Sequence, residues 1–226
     1  MTTLKQAARK SSHPRNMGML REVAKRMAET WQKRWPPDTE VSQSLVYDIG
    51  FMRLDKLALV LKEELPGKRL IDLGTNNPSS YIAMAHFAAS LGVSEYVAVD
   101  LYQDYSRAAS AMEHFIHPDY PDVRLSAERE DMLLYLARQP DCSSNICING
   151  IDDAILRHRD VSLKRMYVHS LVAEMARVVP ENGLVFGINS PCIGKLAEFG
   201  FKQALSDLVT MDYELTKHNG VYQKKA

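Results

Sequence analysis

Between Arg69 and Phe199 the chain alternates short apolar runs rich in β-branched residues with stretches of helical periodicity. The apolar runs cover residues 69–73, 96–100, 123–125, 145–148 and 184–188, and the helical stretches cover 79–91, 106–115, 131–137, 162–179 and 193–199. Strands that alternate with helices predict a parallel sheet covered by helices on both faces. We therefore expect an α/β fold with a doubly wound sheet.

The C-terminal tail departs from this alternation. Two extended stretches, residues 205–217 and 221–225, flank His218-Asn219-Gly220. An Asn-Gly pair between strand-like runs is a strong signal for a tight hairpin. The tail therefore predicts an antiparallel hairpin that completes a mostly parallel, seven-stranded sheet.

Two helices are predicted before the sheet. From Asn16 onward apolar residues recur at spacings of three and four, the period of an amphipathic helix; they are Leu20, Val23, Ala24, Met27 and Trp31. Such a stripe is more often a packing face than a ligand site, and Pro36-Pro37 ends the helix. A second helix is expected over residues 44–65. We expect residues 1–66 to form a basic arm with helices that act as a cap or lid, and residues 67–226 to form a Rossmann-like domain.

Charge is unevenly distributed, although the formal net charge of the 226 residues is zero. Residues 1–35 hold nine Lys or Arg and two Glu, a balance of +7, and the rest of the chain carries −7. Either the basic arm is a solvated face that pairs with the acidic body, or it contacts RNA, an anionic lipid or a partner protein. The first 21 residues, basic and without an acid, also have the composition of an organelle transit peptide.

The three cysteines, Cys142, Cys147 and Cys192, lack the spacing of a metal site, so no metal is expected. Their odd number argues against a disulfide framework and favours a reducing compartment, so we expect a cytoplasmic protein. No apolar run approaches the roughly 18 residues that a membrane-spanning helix needs.

Two residues at strand ends indicate a nucleoside-binding crevice. Gly74 closes the first predicted strand, where a glycine allows a tight turn and close approach to a ligand at the start of the next helix. Asp100 ends the second predicted strand, where an acid can accept hydrogen bonds from both ribose hydroxyls. Taken singly, Gly74 is compatible with a plain strand-to-helix turn and Asp100 with a helix cap.

Further motifs follow in a characteristic order at the ends of the later strands. They are Glu130-Asp131-Met132 after the third strand, Asn149-Gly150-Ile151-Asp152 after the fourth, and the helix, turn and strand over 172–185. Together with Asp72-x-Gly74 and Asp100, this order resembles that of the class I S-adenosylmethionine-dependent methyltransferases. The resemblance covers about residues 65–225, and it rests on order and spacing more than on any single motif.

The resemblance implies that S-adenosylmethionine is the cofactor and that eleven residues bind it: Asp72, Gly74, Thr75, Asn76, Asn77, Asp100, Leu101, Asp131, Met132, Asn149 and Ile151. Asp72 and the turn from Gly74 to Asn77 would lie beside the methionine part of the cofactor. Asp100 would bind the ribose.

The remaining residues of this set are implied to surround the adenine and the methyl group. Leu101 would lie beside the adenine, Asp131 would meet its amino group and Met132 would pack on the ring. Asn149 and Ile151 would line the floor of the crevice near the transferred methyl group.

The first turn departs from the Gly-x-Gly-x-Gly pattern usual in this family, because Asn76 and Pro78 stand at the later glycine positions. Asn tolerates left-handed backbone geometry, and Pro suits the first position of a helix. Cofactor binding and a non-binding scaffold both remain open. A nicotinamide-dependent dehydrogenase is disfavoured because the Gly-x-Gly-x-x-Gly fingerprint is absent.

The methyl acceptor is the least constrained part of the prediction. The fourth strand ends in Asn-Gly-Ile-Asp-Asp, not in the Asn/Asp-Pro-Pro-aromatic motif of amino-group nucleic-acid methyltransferases. Asp152 and His158 are candidate catalytic residues, although a loop acid is also a common helix cap. We expect first a small-molecule methyltransferase, with a catalytically silent scaffold that binds a protein or RNA through the basic arm, or an RNA-directed enzyme, as alternatives.

Overall fold

A computed structural model describes residues 17–34, 54–74, 78–101, 105–149, 160–187, 190, 192–206 and 219–226. Within these ranges one sheet is formed by the strands β1 (Arg69–Leu73), β2 (Glu95–Asp100), β3 (Arg124–Arg129), β4 (Asn145–Ile148), β5 (Leu184–Gly187), β6 (Phe201–Leu205) and β7 (Gly220–Lys224).

The seven strands lie in the order β3-β2-β1-β4-β5-β7-β6. The first five are parallel to one another, whereas β7 is antiparallel to both β5 and β6. The predicted doubly wound, mostly parallel sheet with a C-terminal antiparallel hairpin is therefore confirmed. The chain runs outward from β1 to β3 and then returns to β4, so the winding reverses between β1 and β4.

The helices within the described ranges are α1 (Met17–Arg34), α2 (Leu54–Leu61), α3 (Pro78–Ser90), α4 (Tyr105–Ile116), α5 (Met132–Arg138), α6 (Val161–Val178) and a 3-10 helix over Ile193–Phe199. From α3 onward each boundary lies within one residue of the predicted one. None of these helices has both the length and the apolar character needed to cross a membrane.

The second predicted helix ends earlier than expected. α2 stops at Leu61, and the four residues up to Leu65 form turns. Pro66 accounts for the non-helical backbone of Leu65, because a proline disfavours helical geometry in the residue before it, but the stop at Leu61 has no explanation in the described residues. The expected start of this helix, residues 44–53, lies outside the described residues.

Alternate residues of β1 face two separate hydrophobic clusters. Ile71 and Leu73 belong to a cluster that contains buried residues of α1, α5 and α6. Leu70 belongs to a second cluster, on the other face, with residues of α2, α3 and α4. Because side chains alternate along a strand, Asp72 points to the same face as Leu70.

The first helix is part of the core. Three residues of its predicted apolar stripe are buried against α5 and α6: Leu20, Val23 and Ala24. Arg26 forms an ion pair of 3.0 Å with Asp160, the N-cap of α6. The side chains of Met27 and Trp31, the other predicted members of the stripe, and the Pro36-Pro37 stop lie outside the described part of the chain.

The C-terminal hairpin is present, but the tight Asn-Gly turn predicted for it is wrong. Gly220 is the first residue of β7, where it pairs with Gly187 of β5. The partner strand β6 ends at Leu205, so Asn219-Gly220 cannot be a two-residue connection. A side chain at Gly220 would lie 2.9 Å from the carbonyl oxygen of Leu205. The glycine is therefore explained by the close approach of a neighbouring strand, a common reason for glycine in strands. Most of the predicted first arm, residues 207–217, lies outside the described residues.

Candidate functional site

The segments that follow β1, β2, β3 and β4 are held together at the carboxyl edge of the sheet. Three main-chain hydrogen bonds join them: Gly74 N to Val99 O, Glu130 N to Asp100 O and Asn149 N to Leu73 O, at 2.9, 3.1 and 3.3 Å. This edge includes the point between β1 and β4 where the winding reverses. In open α/β sheets, ligands bind in the crevice at that point.

Seven of the eleven predicted cofactor-binding residues lie in the described part of the chain: Asp72, Gly74, Asp100, Leu101, Asp131, Met132 and Asn149. All seven lie at the ends of β1, β2 and β4 or at the start of α5. The other four, Thr75, Asn76, Asn77 and Ile151, lie outside the described residues, as do the candidate catalytic residues Asp152 and His158.

Gly74 turns the chain out of β1. Its φ of 76° lies in the left-handed region, which glycine adopts without steric cost. Four residues later α3 begins at Pro78, the helical position in which a proline is best tolerated. A strand that ends at a left-handed glycine and a helix that begins at Pro78 match the predicted order, and residues 75–77 between them lie outside the described residues.

Asp72 is a buried acid directly below this turn. The Tyr96 hydroxyl donates a hydrogen bond of 2.5 Å to its Oδ2, while its Oδ1 accepts none from the described residues. Burial raises the pKa of Asp72 to about 7, and the nearby charge of Asp100 adds to this. The hydrogen bond from Tyr96 and the nearby Cys147 thiol oppose the rise. Asp72 is thus a carboxyl group with a vacant, buried oxygen beside the crevice.

Asp100 and Leu101 follow β2 beside the turn at Gly74. Asp100 is buried, and its charge acts on Asp72, which places the two acids within electrostatic reach of each other. Leu101 is partly buried and packs against the cluster that contains α5 and α6. A carboxylate and an apolar side chain therefore stand next to each other at the end of β2.

Asp131 begins α5 and is bonded on both of its oxygens. Its Oδ1 accepts from the backbone N–H groups of Leu133 at 2.9 Å and Leu134 at 3.3 Å, so it is a helix N-cap. Its Oδ2 accepts from the Tyr167 hydroxyl of α6 at 3.0 Å. Burial raises the pKa of Asp131 to about 6, although these hydrogen bonds favour the charged form. Met132 follows as a partly buried apolar residue.

Asn149 lies at the end of β4, on the same face of the sheet as Cys147. Its amide nitrogen donates to the Cys147 sulfur at 3.0 Å. Cys147 is paired across the sheet with Asp72, and burial raises the pKa of its thiol well above the ordinary value. The thiol is therefore protonated at neutral pH, and a buried chain of polar groups runs from Asp72 to Asn149.

Gly187 ends β5 in close contact with β4. A Cβ atom at this position would lie 1.9 Å from the carbonyl oxygen of Ile148 and 3.0 Å from the Asn149 side-chain oxygen. Only glycine can therefore occupy this position without displacing the edge that carries Asn149.

Sequence reasoning did not identify Tyr96, Cys147, Tyr167 or Gly187 as part of this edge. The tyrosines lie in apolar segments, where the pattern indicates only core packing. The register of a parallel sheet could have placed Cys147 beside Asp72, because the fourth and first strands are neighbours in this topology. Gly187 resembles Gly74 in position, since each follows the last apolar residue of a parallel strand.

Neither models of known protein families nor curated proteins match this chain in sequence. Among solved structures, the N-methyltransferase NodS from Bradyrhizobium japonicum WM9 is similar, with a TM-score of 0.53 and 9% identity over 77% of this chain and 95% of that one. An rRNA methylase from Streptococcus thermophilus has a TM-score of 0.47 and 11% identity over 76% and 95% of the two chains. A SAM-dependent methyltransferase from Aquifex aeolicus has a TM-score of 0.47 and 12% identity over 76% and 89%. With the strand order and the antiparallel β7, the likeness to NodS establishes that this chain has the Rossmann-like fold of the class I methyltransferases.

Proposed function

We propose that the protein binds S-adenosylmethionine at the carboxyl edge of its sheet and transfers the methyl group to a small molecule. The observation that carries this proposal is the arrangement of two carboxylates and two apolar side chains around one edge: Asp100 with Leu101 after β2, and Asp131 with Met132 at the start of α5. A nucleoside needs acceptors for its ribose hydroxyls and amino group, and apolar contacts for its ring faces.

The described residues fit such a cofactor. Asp100 would accept hydrogen bonds from the ribose, and Leu101 and Met132 would contact the adenine. The buried Oδ1 of Asp72, which accepts no hydrogen bond from the described residues, would be an acceptor for the methionine part of the cofactor. Buried polar atoms normally have partners, so a ligand or its bound water would satisfy this one.

The first turn also remains compatible with binding, even though it lacks two of the family's glycines. Gly74 supplies the left-handed turn, and Pro78 starts α3 without a steric cost. The roles of Thr75, Asn76, Asn77 and Ile151 stay predictions from the resemblance.

When bound, the cofactor supplies an electrophilic methyl group on a positively charged sulfur. The protein would then mainly align a nucleophile with that group, and alignment alone can supply much of a rate enhancement. Asp152 and His158 follow β4 in sequence, and we retain them as candidates to accept a proton from the methyl acceptor.

The N-terminal helix favours a small acceptor over an RNA. Arg26 is paired with Asp160 on the body, and Leu20, Val23 and Ala24 of α1 are buried in the core, so residues 17–26 pack as part of the body. Asp160 is the N-cap of α6, the helix that follows β4 in the sheet's winding, so this ion pair holds α1 on the side of the sheet where the strands end. That residues 1–66 form a cap over the crevice stays a prediction from the sequence.

The alternative is a scaffold that binds no cofactor, and the loss of glycines at Asn76 and Pro78 favours it. Isothermal titration of the folded protein with S-adenosylmethionine and S-adenosylhomocysteine separates the two. Micromolar binding would support the enzyme, whereas no binding of either compound would contradict it. Salt-sensitive retention of RNA by the protein would instead favour the RNA-directed alternative.

A further inference from the structure

The side chains of Asp131 and Tyr167 form a buried pair between two helices that are far apart in sequence. Asp131 caps α5, and Tyr167 lies in the second turn of α6 with its ring fully buried. The Tyr167 hydroxyl donates to Oδ2 of Asp131 at 3.0 Å. A tyrosine hydroxyl in the core needs a partner, and here that partner is a residue of the candidate site.

Two separate anchors fix the plane of the Asp131 carboxylate. The backbone N–H groups of Leu133 and Leu134 hold Oδ1, and Tyr167 alone among the described residues holds Oδ2. A helix cap on one oxygen leaves the carboxylate free to rotate about its bond to Cβ. The second anchor removes that freedom, and Oδ2 still has a lone pair for another donor.

We propose that Tyr167 is a positioning residue that aims Oδ2 of Asp131 at the amino group of the bound adenine, and so sets the preference for an amino-purine nucleoside. This inference rests on the proposed function. An amino group donates to a carboxylate, whereas the oxo group of the deaminated purine presents a lone pair and is repelled. A fixed carboxylate discriminates between the two better than a rotating one, because a mobile oxygen can swing away from the oxo group.

The electrostatic surroundings support this role. The Tyr167 hydrogen bond lowers the pKa of Asp131, opposing burial and the charge of Glu130. Glu130 is itself paired with Arg138, and Cys192 also acts on Tyr167. Without the hydroxyl, the pKa of Asp131 rises, so its carboxylate is lost at a higher pH.

The test uses the full chain with Tyr167→Phe and, as a matched control, Tyr135→Phe. Tyr135 is also a buried tyrosine, on α5, but its hydroxyl accepts from Arg69 at the opposite edge of the sheet at 2.8 Å. Titration calorimetry would measure the Kd of S-adenosylhomocysteine and of its deaminated inosyl analogue for each protein. The preference is the Kd of the inosyl analogue divided by the Kd of S-adenosylhomocysteine. We expect this ratio to fall about five- to tenfold in Tyr167→Phe, the effect of losing one hydrogen bond, and to stay unchanged in Tyr135→Phe.

A pH series gives a second readout that a general loss of packing would not move. Binding of S-adenosylhomocysteine should weaken as the pH falls through the pKa of Asp131, about 6, and this step should lie at a higher pH in Tyr167→Phe than in the wild type, whereas the titration of Asp72 near pH 7 is common to both proteins. An unchanged Kd ratio and an unchanged midpoint in a folded Tyr167→Phe protein would overturn this inference alone. A wild-type chain that binds neither compound would overturn the proposed function as well.

Discussion

The Tyr96 hydroxyl donates a hydrogen bond of 2.5 Å to Asp72, and both side chains are buried. Tyr96 lies on β2 and Asp72 on β1, two strands that pair in parallel with Leu70 opposite Tyr96. The bond stabilises the charged form of Asp72, but burial outweighs it, and the pKa of the carboxyl rises to about 7. The acid nearest the turn therefore changes its charge at neutral pH.

This shift predicts a specific dependence of stability on pH. An acid with a folded-state pKa of about 7 and an unfolded value of 3.8 binds more protons in the folded state between those limits. The free energy of unfolding should therefore fall as the pH rises from about 4 to about 7, by on the order of 1.4 kcal/mol per pH unit from this group.

Asp72→Asn should remove that contribution. Urea denaturation at several pH values would compare the two proteins, and Asp131 would contribute equally to both. If the free energy of unfolding changes with pH in the same way in the wild type and the variant across this range, Asp72 is ionised throughout, contrary to the expected effect of burial.

Asp100→Ala should weaken cofactor binding about 10- to 100-fold. The ribose hydroxyls would lose a charged acceptor, and such a hydrogen bond contributes roughly 1.5–3 kcal/mol. The matched control is Asp122→Ala, because Asp122 is an exposed acid in a turn before β3. Calorimetry with S-adenosylhomocysteine measures both variants. Equal affinity in Asp100→Ala and the wild type would place the ribose elsewhere.

Most of the fold could be predicted from the hydrophobic periodicity of the sequence, because the buried face of each strand or helix must be apolar. The alternation of β1 and the stripe of α6 survive in the structure within one residue of their predicted limits. β3 is the exception, since it extends to Arg129 and not to Leu125. It is an edge strand with no fully buried residue, so Ser126 and Glu128 carry no apolar signal.

A site residue could be predicted from the sequence only where it comes at the end of the apolar run that forms its strand. Asp100 and Asn149 end apolar runs, and parallel strands bring such ends to one edge. The buried partners of the site residues could not be predicted in this way. The hydrogen bond from Tyr167 to Asp131, for example, depends on how α6 packs against α5. Local turn chemistry likewise failed at Gly220, where pairing with a distant strand prevails over the Asn-Gly signal.

The N-terminal helix should contribute to the stability of the whole protein. Leu20 is 5% exposed and packs in the cluster that contains α5 and α6, whereas Met19 beside it is 45% exposed. Leu20→Ala should lower the free energy of unfolding by about 2–5 kcal/mol, and Met19→Ala should change it by less than about 0.5 kcal/mol. Chemical denaturation measures both, and equal small effects would mean that α1 is a detachable cap.

Gly187→Ala should disturb the floor of the crevice more than a comparable change elsewhere. The added Cβ would lie 1.9 Å from the carbonyl oxygen of Ile148, so β4 and β5 must separate and Asn149 must move. Gly200→Ala is the matched control, because Gly200 also has a positive φ, 89°, but no atom lies within 4 Å of the added carbon. There the strain alone should cost about 1 kcal/mol.

We expect Gly187→Ala to lose several times more stability and to weaken cofactor binding at least tenfold, whereas Gly200→Ala keeps the wild-type affinity. Denaturation and calorimetry on the same preparations test this. Equal losses of cofactor affinity in the two variants would show that the close approach of β5 to Asn149 has no role in binding.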